Sequence, residues 1–108
     1  MIQFTFNKNK EGSITSFKVE GHAGYAPHGQ DIVCAAVSTL VIGTINGLQE
    51  LTDAPFDATV DEGIAEVEIY TPSSYSNVLV RSMVMSLEGI QEEYSEFINI
   101  YESVSDHY

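Results

Sequence analysis

Cationic side chains are scarce in this chain: Lys8, Lys10, Lys18 and Arg81 stand against 16 acidic residues, for a formal charge of −12. A surface of that sign repels phosphate backbones and anionic lipid, which argues against nucleic acid or a membrane surface as partner and favours cationic polypeptide. Taken alone, such charge also does no more than keep a chain soluble. Cysteine is scarcer still. With Cys34 the single one, no intrachain disulfide can form, and the cytoplasm is the expected compartment. The first residues, Met1-Ile2-Gln3-Phe4-Thr5-Phe6, alternate apolar and polar and lack the basic start and continuous apolar run of a secretory signal, so export is not expected. A Gly-Lys-Ser phosphate loop and a dinucleotide fingerprint are both missing, as are repeats, linkers and low-complexity segments. What remains, 108 residues with 44% hydrophobic and 19% charged, is the composition of one globular domain spanning 1–108.

Along the chain, Ile2, Phe4 and Phe6 share one side of a half-buried strand. A Glu11-Gly12 turn leads to a second strand over residues 13–20, closing a hairpin. The segment Gly21-His22-Ala23-Gly24-Tyr25-Ala26-Pro27-His28-Gly29 holds three glycines and a proline and cannot be a regular element. Asp31 is a good N-cap for a helix running to about Leu51. Residues 32–49 carry no charge. Ser38, Thr39, Thr44, Asn46 and Gln49 dilute the run and no basic flank fixes a topology, so it reads as a helix buried on nearly all sides rather than a membrane span. Gly43 and Gly47 would admit another helix at close range. Phe56 to Val60 and Ala65 to Ile69 alternate around a Glu62-Gly63 turn, a second hairpin with an acidic outer face. After Thr71-Pro72-Ser73 a long helix is expected, with Val80, Met83, Leu87, Ile90, Tyr94, Phe97 and Tyr101 as one apolar stripe and a frayed tail from Ser103. The expected fold is α+β: ββαββα, a four-stranded, mostly antiparallel sheet packed with two helices. Those helices carry more apolar surface than a small sheet covers, which points to a homodimer.

The chemistry converges on the loop and the helix it enters. A nucleophilic cysteine works as the thiolate, and the first turn of a helix, with unpaired N–H groups and a partial positive charge, favours that form. Behind an Asp31 cap, Cys34 is the third helical residue. The plainer alternative is a core cysteine among Ile32, Val33, Ala35 and Ala36. His22, where the second strand ends, is a candidate general base. His28 is its rival, and His107 lies in the tail. Asp31 is a cap first and an orienting carboxylate second. Ser38, one turn beyond Cys34, faces the same side. An oxyanion would be met by N–H groups of the first turn, that of Cys34 included. Gly21 and Gly24 make the loop costly to order, and Tyr25 offers a ring to an aromatic ligand. His22, His28, Asp31 and Cys34 also permit a zinc reading, although the spacing matches no closed structural zinc pattern.

The stretch from Gly21-His22-Ala23-Gly24-Tyr25 to Asp31-Ile32-Val33-Cys34-Ala35-Ala36-Val37-Ser38 resembles the signature of the ribosomal-processing cysteine protease family, Prp, and the likeness extends over the whole chain. The resemblance implies a catalytic dyad of His22 and Cys34 with Asp31 and Ser38 close by, a homodimer, and no cofactor. It also implies a substrate, the N-terminal extension of a large-subunit ribosomal protein, cut at a Phe-Phe pair followed by a small residue and then lysines. A non-enzymatic acidic module that binds basic ribosomal proteins stands as the alternative.

Overall fold

The computed structural model describes residues 1–27 and 30–105. Five strands and two helices follow one another as β1 (Ile2–Lys8), β2 (Ile14–Glu20), α1 (Ile32–Leu51), β3 (Phe56–Asp61), β4 (Ile64–Ile69), α2 (Ser74–Glu93) and β5 (Ile98–Val104). The sheet order is β3-β4-β2-β1-β5. All neighbours pair antiparallel except β1 with β5, which run parallel from Ile2↔Ile98 to Lys8↔Val104.

The period-2 patterns place the core. Ile2, Phe4 and Phe6 of β1 sit opposite Phe17 and Val19 of β2, and Ala65 and Val67 of β4 continue that face. Phe4, Phe17, Val67 and Ile98 are fully buried, with the Phe4 ring 6.1 Å from those of Phe6 and Phe17. Burying side chains of this size stabilises by about 2 kcal/mol each. Both helices cover this face: Val33, Val37, Val41 and Leu48 of α1, and Val80, Met83, Val84 and Leu87 of α2, complete the core. On the other face Thr5, Lys18, Glu66 and Thr59 follow one another across the strands, with Glu68 paired to Asp57 in the next row.

The helix starts are written in the sequence. Asp31 caps α1, its Oδ1 accepting the N–H groups of Val33 and Cys34 at 3.0 Å each. Such a cap contributes about 1 kcal/mol. Ser73 and Ser76 form a reciprocal capping box on α2.

The four-stranded expectation is corrected by β5. α2 ends at Glu93 with Tyr94 as its cap, so Phe97 and Tyr101 are not on the helix, and Ser103 and Val104 belong to a strand rather than a frayed tail. The chain turns through residues 95–97, and Ile98 and Ile100 enter the sheet beside β1, making it mixed rather than mostly antiparallel. Nor is α1 buried on nearly all sides. One face is covered, whereas Ile32, Ile42 and Leu51 are exposed. By length and composition α1 would suit a bilayer span, yet that covered face packs on the sheet. Gly47 does allow close approach: a β-carbon there would fall 3.3 Å from Leu79 of α2. Gly43 faces open space.

Candidate active site

The loop that leaves β2 doubles back so that its first residues lie over the first turn of α1. Gly21 makes this possible. Its φ is +93°, a β-carbon on it would stand 2.6 Å from the Met1 carbonyl oxygen, and its N–H donates to the Gly63 carbonyl at 2.9 Å. Only glycine fits between those two carbonyls in that conformation. Gly24, at φ +74°, also needs the left-handed region but has open space around it.

Cys34 is half-buried, and its Sγ accepts the Ala23 N–H at 3.2 Å. Asp31 ties the loop to the helix: while Oδ1 caps α1, Oδ2 accepts the Tyr25 N–H at 3.0 Å. Burial works to raise the Asp31 carboxyl. The N–H groups of Cys34, Tyr25, Ala26 and Val33 together outweigh it and hold the group below the usual carboxylate value. The carboxylate therefore both caps α1 and holds the loop.

Between α1, the end of β2 and the β3–β4 turn lies a cleft of about 610 Å³, lined by His22, Cys34 and Ser38 among others. That volume is within the usual range for ligand sites. Four carboxylate residues, Glu20, Asp31, Asp61 and Glu62, stand around it, with no lysine or arginine among the lining residues. His22 is exposed and rests against the β3–β4 turn: a β-carbon on Gly63 would fall 3.3 Å from its Nε2. His22 and Cys34 thus face one cleft, and no hydrogen bond joins them among the described residues. Ser38 lines the cleft one turn beyond Cys34.

Two features singled out in the sequence have other contacts in the structure. Tyr25 does not line the cleft. Its ring packs edge-on against Tyr94 at 5.6 Å and Phe97 at 5.2 Å, an aromatic cluster made by the turn into β5. The first-turn N–H groups of Val33 and Cys34, expected to meet an oxyanion, are already taken by Asp31, and that of Ala35 donates to the Asp31 carbonyl. The rival base His28, the loop Gly29 and the tail His107 lie outside the described residues. So does one member of the zinc set. Among the described residues no three of His, Cys, Asp and Glu come together as a metal site. Sequence reasoning passed over Ala23 and Gly63, because a backbone amide and a turn glycine carry no chemical label. The positive φ of Gly63 was foreshadowed only by the Glu62-Gly63 turn signal.

A thiol and an imidazole facing one peptide-sized cleft is the arrangement of a thiol hydrolase, and the comparisons agree. The model of the cysteine protease Prp family matches residues 1–99. The ribosomal processing cysteine protease Prp of Bacillus subtilis is 34% identical, covering 93% of this chain and 96% of that one. That of Staphylococcus aureus is 32% identical over 93% of this chain and 97% of its own. The structure of the Staphylococcus aureus protease with a covalently linked product peptide superposes with a TM-score of 0.90 at 31% identity, covering 94% of this chain and 99% of that one. A second structure of the same enzyme, with a substrate peptide, gives 0.80 at 29%, covering 94% and 99%. This chain belongs to the Prp family of cysteine proteases. Family membership displaces the reading as a non-enzymatic acidic module.

Proposed function

We propose that this protease removes the N-terminal extension of a large-subunit ribosomal protein, cutting at a Phe-Phe pair followed by a small residue, with Cys34 as nucleophile and His22 as base. The observation that carries the reading is the shared cleft: the only sulfur nucleophile and an imidazole open into one space, framed by carboxylates. The relatives' names as ribosomal processing proteases supply the substrate class, and the cleft's charge suits a peptide that continues into lysines.

In this mechanism His22 takes the thiol proton as Sγ bonds to the scissile carbonyl carbon, and the carbonyl π electrons move to oxygen. The adduct collapses, the C–N bond breaks, and His22 returns the proton to the leaving amine. Water, deprotonated by the same imidazole, then cleaves the thioester. His22 must leave its rest against the Gly63 turn to approach Cys34, so substrate binding assembles the dyad. Gly21 and Gly24 supply the hinge, and Ser38 and Asp31 hold positions around the nucleophile. No cofactor enters any step. Location in the cytoplasm follows from the ribosomal substrate and the free thiol. Association as a homodimer follows from the apolar residues left exposed on the helices, Ile42, Val78 and Met85 among them.

Incubating the protein with a peptide carrying the Phe-Phe site tests the reading. One cut after the second phenylalanine, absent with Cys34→Ala, supports it; an intact peptide refutes it.

A further inference from the structure

An acyl transfer needs donors for the oxygen that becomes negative, and three amides of the first helical turn, those of Val33, Cys34 and Ala35, are committed. Asp31 Oδ1 takes Val33 and Cys34, and the Asp31 carbonyl takes Ala35. Breaking those bonds would strip α1 of its cap and free the loop at the moment of reaction. One amide is differently placed. The N–H of Ala23, a residue only 5% exposed, points at the reactive sulfur itself, 3.2 Å away.

From this geometry we infer that the Ala23 amide is the principal oxyanion donor, held at rest by the sulfur and passed to the oxyanion as the adduct forms. The electron count favours the transfer. As the S–C bond forms, negative charge leaves sulfur and accumulates on the carbonyl oxygen, while the thiol proton resides on His22. Sulfur becomes a weak acceptor just as the oxygen becomes a strong one. The oxyanion is bonded to the same carbon as Sγ and so forms beside it. A small tilt of the amide brings the donor to the about 2.7–3.1 Å that such contacts require. When the C–N bond breaks and the carbonyl is restored, the contact weakens again. The inference rests on Cys34 being the nucleophile. It gives the Gly21-to-Gly24 loop a second role, since Gly21, wedged between the Met1 and Gly63 carbonyls, sets the direction of the amide two residues on.

The single cysteine makes the test practicable. Residues 1–33 can be synthesised and joined to residues 34–108 at Cys34 itself, so that one backbone amide is replaced by an ester. The variant carries an ester at Ala23, and a control carries one at Gly12, in the exposed β1–β2 turn away from the cleft, where the amide lost donates to the Asn9 carbonyl. With the Phe-Phe peptide, the Ala23 ester is expected to lower kcat by about 100-fold or more, with KM unchanged and the thermal midpoint lowered only by about 4–8 °C, the cost of one lost hydrogen bond. It should weaken a Phe-Phe peptide aldehyde, which forms a tetrahedral adduct on sulfur, by a similar factor. The Gly12 ester should keep the kcat and KM of the all-amide protein. A kcat within threefold of the all-amide protein for the Ala23 ester overturns the inference. Should the ligated chains not refold, the recombinant protein labelled with nitrogen-15 at alanine decides the matter. The aldehyde should move the Ala23 amide proton downfield, and an unmoved resonance overturns the inference. Cys34→Ala is assayed alongside. If it still cleaves, the nucleophile assignment has failed; if it is inert while the Ala23 ester is fully active, only the amide assignment has.

Discussion

Replacing Gly21 with alanine should damage the protein far more than replacing Gly24, although both glycines have positive φ and lie three residues apart. At Gly24 the added methyl meets nothing within 4 Å. The cost is then the left-handed backbone alone, about 1–2 kcal/mol. At Gly21 the same backbone term applies, and the methyl would also lie 2.6 Å from the Met1 carbonyl oxygen. A backbone oxygen cannot swing aside as a side chain can, so β1 and the loop must separate. That movement pulls on the Gly21 N–H bond to Gly63, 2.9 Å long, whose loss adds about 1 kcal/mol. Together these give about 2–4 kcal/mol for Gly21→Ala. For a domain near this length, each kcal/mol lowers the thermal midpoint by about 4–8 °C. A drop of about 4–16 °C is therefore expected for Gly24→Ala, and about 8–32 °C for Gly21→Ala, roughly twice as large. The assay is thermal unfolding followed by circular dichroism, with peptide cleavage measured well below both midpoints. Gly21→Ala should still lose most of its cleavage there, because the displacement reaches His22 and Ala23. Equal midpoints and equal activities for the two variants would refute the account of the loop's start.

The remaining expectations are more direct. His22→Ala should lose cleavage by several orders of magnitude while His28→Ala keeps a substantial fraction, and a pH–rate profile of each would show any exchange of roles. Asp31→Asn should cost about 1 kcal/mol at neutral pH, because asparagine can cap α1 as aspartate does but its NH2 group cannot accept the Tyr25 N–H. Because the folded Asp31 carboxyl is held below its usual 3.8, its contribution is fully present above that value. It is lost as pH falls through the folded value, so wild-type and Asp31→Asn denaturation midpoints should converge in strong acid. Sedimentation at micromolar protein should show a species of about 24 kDa, twice the 11.9 kDa chain; a species of single-chain mass would remove the dimer. Amide hydrogen exchange of Cys34→Ser with and without peptide should show residues 21–27 gaining protection on binding, and equal protection would mean a preformed site.

The first helix and the two hairpins were legible because their signals are local and unopposed. Asp31 precedes an uncharged run, and Glu62-Gly63 separates two alternating segments. The end of α2 was not. Tyr94, Phe97 and Tyr101 extend the three-and-four spacing of Leu87 and Ile90, and no glycine or proline falls between Ile90 and Tyr101. The competing alternation of Ile98 and Ile100 is short, and its partner β1 lies at the opposite end of the chain. A parallel pairing of that kind leaves no turn signature. The apparent burial of α1 had a similar origin. Absence of charge in residues 32–49 shows what a helix can tolerate, not which faces one chain covers. In the site, His22, Cys34 and Asp31 announce themselves by side-chain type. The engagement of the helix amides by Asp31, the Ala23 contact to sulfur, the packing of Tyr25 on Tyr94 and Phe97, and the seat of His22 on Gly63 depend on backbone path, which composition does not encode.

The central claim is that Cys34 carries the acyl group of a peptide cut after a Phe-Phe pair. The most direct measurement is the intact mass of the protein, quenched with acid within its first turnover on such a peptide. The account predicts one covalent adduct equal to the N-terminal fragment, mapped to Cys34, with the C-terminal fragment released beginning at the small residue, and neither species with Cys34→Ala. Release of the same fragment by Cys34→Ala, or turnover through a residue other than Cys34, would contradict it.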